Sequence, residues 1–335
     1  MTEADTPQKP DAEQFRQHLQ HISQLDWRAR QWWTQYLFHF ADLVNAVSIL
    51  KGQALYSRGG ISRGKADWLD SASPDIIDQT KAELKDFVRF YFRPRTPTLY
   101  SNEGFRPKDR RMFGGAHCPI PIYLLFDFEA LITREDSQFS YGSLARPDVP
   151  LYHTADAFTQ FPFEWVYHDS RFEPEDKDRV IFHRHAEVVI PHKIDLQNLK
   201  QIWCRTPAEY ETLYHLLPAP LRPLWRDKIS IRRDVNLFNR EWLHVERAQL
   251  SPAMLRFHLN PARNPMNRGP FDLRIKVVNT QTREHFTWHQ PDAAPKSVLS
   301  VDLRPMGDVQ AYTVRLYIDD HIAYAGQFSV EDAPF

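Results

Sequence analysis

Between residues 271 and 330 the chain reads FDLRIKVV, SVLSVDL, AYTVRLYI and IAYAGQFSV, with turn-forming segments such as NPARNPMNRGP and YIDDH nearby. Apolar and polar residues alternate in several of these stretches. Side chains on a strand point to opposite faces in turn, so a period of two marks strands with one buried face and one wet face. Several short strands punctuated by turns predict a small all-β sandwich, assigned here to residues 246–335. The pattern is absent upstream, which predicts a separate domain over residues 13–245 after a disordered lead-in at 1–12.

That upstream region mixes helical and strand patterns. FHFADLVNAVSILKG reads as a short strand followed by a helix, with Asp42 as N-cap and Gly52 at the stop. DFVRFYFRPRTPTLY, ending at Tyr100, is a strand running into a proline-punctuated loop. CPIPIYLLFDFEAL reads as a buried strand, and PAEYETLYHLL as a helix. Residues 135–178 form a long irregular region rich in aromatics, proline and aspartate, and loops longer than about 15 residues usually serve a function. RDKISIRR is a local basic strand that fits an edge or a phosphate contact.

Charge and cysteine content exclude some classes. Lys and Arg number 42 and Asp and Glu 43, so any affinity for nucleic acid must come from a local surface. The two cysteines, Cys118 and Cys204, are far apart and outside any CxxC spacing, which argues against a disulfide scaffold and suits a reducing cytoplasm. No apolar stretch approaches the roughly 18 residues that span a bilayer.

FHRHAEVVIP poses the chemical question. Read as one strand, it puts His183, His185 and Glu187 on a single face. Two histidines and a carboxylate there fit a metal site, a polar strand face, or a catalytic glutamate with polar neighbours. Spacing alone leaves the three open. In FYFRPRTPTLY, Arg93 and Arg95 offer planar donors suited to phosphate, and Tyr100 offers a ring to stack on nicotinamide or adenine.

Three blocks in order resemble DarT-like ADP-ribosyltransferases, which move ADP-ribose from NAD+ onto a nucleobase. FHFADLVNAVSILKGQALYSR resembles the opening block with its "SIL..G.L.S" pattern. DFVRFYFRPRTPTLY resembles "YVPFYF.PRSPMLY", and HRHAEVVIPHKIDLQNLKQIWCRT resembles the "AEFLV" block and the segment after it. The resemblance spans about residues 35–215 and implies an α+β fold, a split mixed sheet with surrounding helices about an NAD+ cleft. It implies that Glu187 is catalytic and that His39, Tyr91, Arg93, Arg95 and Tyr100 contact the cofactor, with Asn45 and Ser48, on the helix after His39, as weaker candidates. NAD+ is then a co-substrate and no metal is expected.

The family's basic "xRR" segment before the FYF strand is replaced by DIIDQTKAELKDF, where Lys81 is the nearest match. Arg58 or Arg63 could supply the missing guanidinium. Arg146, Tyr152, Trp165 and Arg171, in the loop ahead of Glu187, become candidates for holding a single-stranded nucleic acid, since exposed rings beside cations suit unpaired bases and phosphates. The implied role is a toxin or phage-defence effector acting on DNA or RNA under the restraint of an antitoxin. A silent binding module on the same fold and a protein-modifying transferase are the alternatives.

Overall fold

A computed structural model describes residues 6–61, 82–111, 117–146, 148–233, 235–265, 268–307 and 309–331. Its strands in chain order are β1 (Tyr36–Asp42), β2 (Ala54–Tyr56), β3 (Phe87–Tyr91), β4 (Pro121–Asp127), β5 (Gln138–Phe139), β6 (Glu187–Pro191), β7 (Lys193–Asp195), β8 (Leu199–Cys204) and β9 (Ile229–Ile231), then β10 (His244–Leu250), β11 (Met254–Asn260), β12 (Phe271–Asn279), β13 (His285–Ala293), β14 (Val298–Asp302), β15 (Ala311–Ile318) and β16 (His321–Ser329). The chain forms two compact units. One comprises Met1–Phe40, Ser48–Ser101 and Tyr123–Ile202, the other Ala41–Val47, Asn102–Ile122 and Trp203–Phe335. The units interleave along the chain, whereas the sequence reading divided it sequentially between residues 245 and 246.

A seven-stranded sheet runs in the order β5-β6-β3-β1-β4-β8-β9. β3 pairs antiparallel with β1 through Phe38↔Tyr91, and with β6 from Phe87↔Pro191 to Tyr91↔Glu187. The all-apolar core of β4 is buried throughout, as its continuous apolar run requires. In the first unit, the helix Ala12–Gln24 buries Ala12, Phe15, Leu19 and Ile22, a stripe at intervals of three and four residues. Phe139, Phe158, Phe161 and Phe163, all from the long region ahead of Glu187, are buried together with Phe15 and Phe92. Most of that region's aromatics are therefore core.

Two sequence expectations fail here for identifiable reasons. Residues 6–12 are ordered, not a disordered lead-in. The Lys9 ammonium is buried and donates to Ile132 O and Ser137 Oγ, both at 2.6 Å, and burial lowers its pKa to about 8. A lone lysine in a polar stretch gives no sign of such a socket. The second failure concerns FHRHAEVVIP. A helix occupies Lys177–His183, and the strand begins only at Glu187. The alternation expected of His183, His185 and Glu187 does not exist, because the first two precede the strand.

In the second unit, the helix Pro207–Leu216 starts at Thr206, whose hydroxyl accepts from the Glu209 amide at 3.2 Å. Fully buried Arg205 donates to Glu209 at 2.9 Å and to Glu103 at 3.0 Å. Glu103 also accepts from the amides of Asn239 and Arg240, so no charge in the cluster is left without partners. The C-terminal strands form two antiparallel sheets, β10-β11-β14 and β13-β12-β15-β16. Rings from the two meet at Phe257 and Tyr324, 5.4 Å apart. Asp42 caps the helix Leu43–Gly52 as expected, accepting from Val44 N at 3.2 Å, and burial raises its pKa to about 6.

Candidate active site

The register of three strands assembles the site. Tyr91 is directly opposite Glu187, so their side chains share a face, and Arg89, two residues before Tyr91, points the same way. Arg89 Nη1 lies 3.4 Å from Glu187 Oε2. The Glu187 side chain is 5% exposed and that of Arg89 28%, so the pair opens to solvent on the arginine side. Burial pushes the Glu187 carboxyl above the usual carboxylate range, while Arg89 and a hydrogen bond from Tyr91 pull it partly back. Burial also raises the Tyr91 phenol, and the neighbouring Glu187 charge adds to the shift. Tyr91 therefore stays protonated and acts as a donor.

The line of polar groups continues past Tyr91. Thr98 Oγ1 lies beside the Tyr91 hydroxyl and 3.2 Å from His185 Nε2. His185 Nδ1 is 2.9 Å from Ile181 O, which can only accept, so Nδ1 carries the proton and Nε2 accepts from Thr98. Burial lowers the His185 pKa and keeps the ring neutral. The loop ahead of the glutamate is tied to it as well. Ser140 N donates to Glu187 O at 2.9 Å, and the Glu187 amide donates back to Ser140 Oγ at 3.3 Å. Gly142 then passes so close to Phe182 that a Cβ there would meet the ring at 2.4 Å.

The remaining sequence candidates separate. Arg93 is 1% exposed and spends its guanidinium on Pro94 O, Val166 O, His168 O and Asp169, with its planar face 4.9 Å from the Trp33 ring. It is a buried clamp and not a phosphate ligand, a correction to the sequence reading. Arg95 adopts φ +53° and lies 4.0 Å from Asp169. Tyr100 is 60% exposed.

His39 sits between Phe38 and Phe40 on β1. With Phe38 opposite Tyr91, alternation turns His39 to the other face of the sheet, where its ring meets Phe90 edge-on at 6.1 Å. Nδ1 bonds Arg89 O at 3.0 Å, and Nε2 is buried without a partner among the described residues. His39 thus lies on the sheet face opposite to Glu187. Asn45 is fully buried on the helix Leu43–Gly52, and Ser48 is half-buried there.

Arg58 begins a short helical turn capped by Ser57, with no ion pair to Glu187. Arg63 and Lys81 lie outside the described residues. Among the described residues the guanidinium beside Glu187 belongs to Arg89, which the sequence reading does not name. Its signal was present, since a residue two before Tyr91 in DFVRFYF must share that tyrosine's face.

His183 bonds Tyr141 O through Nδ1 at 2.7 Å, and it does not converge with His185 and Glu187 on a common point. Among the described residues no three His, Cys, Asp or Glu side chains group as metal ligands. Of the loop candidates, Trp165 carries the Arg179 guanidinium over its ring at 3.9 Å, and Arg146 covers Phe182 at 5.0 Å. Tyr152 stacks on Tyr141 at 4.3 Å, and Arg171 is exposed.

A family-model match over residues 38–242, more than half of the chain, puts the protein among NAD+-dependent ADP-ribosyltransferases. The family is DarT, described as ssDNA thymidine ADP-ribosyltransferase, and the chain belongs to it. No curated protein matches the chain. Among solved structures it is similar to Thermus sp. 2.9 DarT in complex with ADP-ribosylated ssDNA, at 16% identity over 60% of this chain and 95% of that one, TM-score 0.49. It is similar also to the same protein in complex with NAD+, at 16% identity over 60% and 96%, TM-score 0.46. A third likeness is to Thermosipho africanus DarTG in complex with ADP-ribose, at 17% identity over 64% and 53%, TM-score 0.44. No described helix is long and apolar enough to cross a membrane.

Proposed function

We propose that the protein transfers ADP-ribose from NAD+ to a thymidine base of single-stranded DNA and acts as a growth-arresting toxin held in check by an antitoxin. The observation that carries the chemistry is the buried Glu187 carboxylate flanked by Arg89 and Tyr91. The description of the family supports DNA as the acceptor.

In the reaction, the bond from ribose C1′ to the nicotinamide nitrogen breaks, and its electron pair leaves with neutral nicotinamide. The base nitrogen bonds C1′, and its proton passes to Glu187. Positive charge develops on the ribose as the first bond lengthens, and the carboxylate beside it stabilises that charge. A carboxylate with a raised pKa is a better proton acceptor than an ordinary one, provided it is ionised. Arg89 keeps it ionised, and Tyr91 fixes one of its oxygens. Tyr100 packs against the dinucleotide, and Trp165 with Arg146 meets the nucleic acid.

The test incubates the protein with labelled NAD+ and, separately, single-stranded DNA, single-stranded RNA and total protein, beside a Glu187→Gln variant. Label on DNA that the variant loses by a factor of roughly 10²–10⁴ is the expected result. Label on RNA or protein alone would overturn the acceptor and leave the transferase chemistry standing.

A further inference from the structure

The outer face of the sheet β13-β12-β15-β16 carries a group of cations that the chemistry at Glu187 does not use. A cavity of about 500 Å³ lies there against the end of the helix Pro207–Leu216. Its walls include His215, Arg222, Lys276, His285 and Arg315, with Tyr317 beside them, and among the described residues no aspartate or glutamate.

The strand register makes this arrangement costly in isolation. Lys276 on β12 is directly opposite Arg315 on β15. Like charges directly opposite on neighbouring strands destabilise a sheet. Neither is relieved from its other side, because Lys276 faces Thr287 on β13 and Arg315 faces Ala325 on β16. Both are exposed, and among the described residues neither forms an ion pair with a carboxylate. Arg274, one step along the same face, does have such a partner in Asp320 at 3.1 Å. Lys276 Nζ sits 5.8 Å from the centre of the Tyr317 ring, and Arg222 covers Tyr214 at 5.2 Å. Cations with rings beside them, in a concave wall free of carboxylates, match a chain of phosphates carrying stackable bases.

We propose that this groove binds the phosphate backbone of single-stranded DNA, as a second nucleic-acid contact apart from the catalytic face. The inference rests on the nucleic-acid acceptor proposed above and extends it to a site where no chemistry occurs. Lys276 and Arg315 each neutralise a phosphate, and Tyr317 supplies a ring for one base.

The experiment measures binding of a fluorescent oligothymidylate to the full chain by anisotropy, without NAD+, across a salt series. The proteins are the wild type, Lys276→Gln/Arg315→Gln, and Arg256→Gln as an exposed-charge control on β11. Thermal melting checks that each is folded. The double variant is expected to bind at least about tenfold more weakly at low salt, with the slope of log K against log salt reduced by roughly 1.4, the effect of losing two single-strand phosphate contacts. Arg256→Gln is expected to bind as the wild type. Equal binding by the double variant would overturn the groove, whatever the labelling experiment shows. Displacement of the oligonucleotide by polyglutamate at equal charge would reassign it to an acidic protein segment and overturn it too. Wild-type binding lost in the double variant, beside an absence of label on DNA, would keep the groove and sink the acceptor, so the two failures are distinguishable.

Discussion

Glu187 is held in tension between two effects, and each can be tested by removing one group. Burial disfavours its charge, whereas Arg89 and Tyr91 favour it. The proposed reaction needs the ionised form, so activity should fall as the pH drops through a value above the ordinary glutamate pKa. Arg89→Ala removes the opposing charge, which raises that pKa further. The acid limb of the kcat/KM profile should therefore move to higher pH, with activity on the plateau lower by about 10²-fold. An unmoved limb would assign Arg89 a purely structural part. Stability follows the same pKa with its own sign. The folded-state pKa lies above the unfolded one, so the folded protein binds more protons between them, and stability declines as pH rises through that window. Glu187→Gln removes this penalty. The variant should melt higher than the wild type above the folded-state pKa, and the gap should close towards pH 4 in calorimetric scans.

Strand register made the site, and register is only partly written in the sequence. The block DFVRFYF fixes which of its residues share a face, so Arg89 with Tyr91 could be read by counting. The pairing of Tyr91 with Glu187, across almost a hundred positions, could not. The sequence was misleading where a helix met a strand. FHRHAEVVIP spaces His183, His185 and Glu187 at a period of two, yet His183 closes a helix and Glu187 opens a strand, because the apolar run that β6 needs starts only at Val188. Arg93 misled for a different reason, since an arginine between proline-rich neighbours gives no hint of the carbonyls that fold over it. That burial has a measurable consequence. Its guanidinium satisfies Val166 O and His168 O, so Arg93→Ala leaves acceptors unpaired in a dry site. The expected loss is about 3–5 kcal/mol in denaturant titration, against roughly 0.5 kcal/mol or less for exposed Arg171→Ala. Similar losses for the two would show that the clamp does not hold the loop.

At the scale of the chain, the family-matched region ends at residue 242, which invites the view that everything beyond is an attachment. Contacts within the second unit argue otherwise. The helix Pro207–Leu216 lies inside the matched region, yet it is completed by strands outside it. Thr206 Oγ1 donates to Val245 O at 2.7 Å, Ala325 N donates to Thr212 Oγ1 at 3.1 Å, and the Tyr324 hydroxyl donates to Glu211 at 2.6 Å. Phe105 N donates to Leu243 O at 2.8 Å. Buried polar groups such as Thr212 cost free energy when their partners are removed, and the apolar face carrying Ala208 and Leu213 would meet water as well. A chain stopped after Leu243 should therefore fail to fold cooperatively, giving a broad melt or insoluble product, although every residue of the catalytic face is retained. Fusion of a soluble partner should not rescue it. If the truncated protein instead melted in one sharp transition and labelled its acceptor as well as the full chain does, the C-terminal sheets would be an independent module, and the sequential division near residue 245 would be the better description.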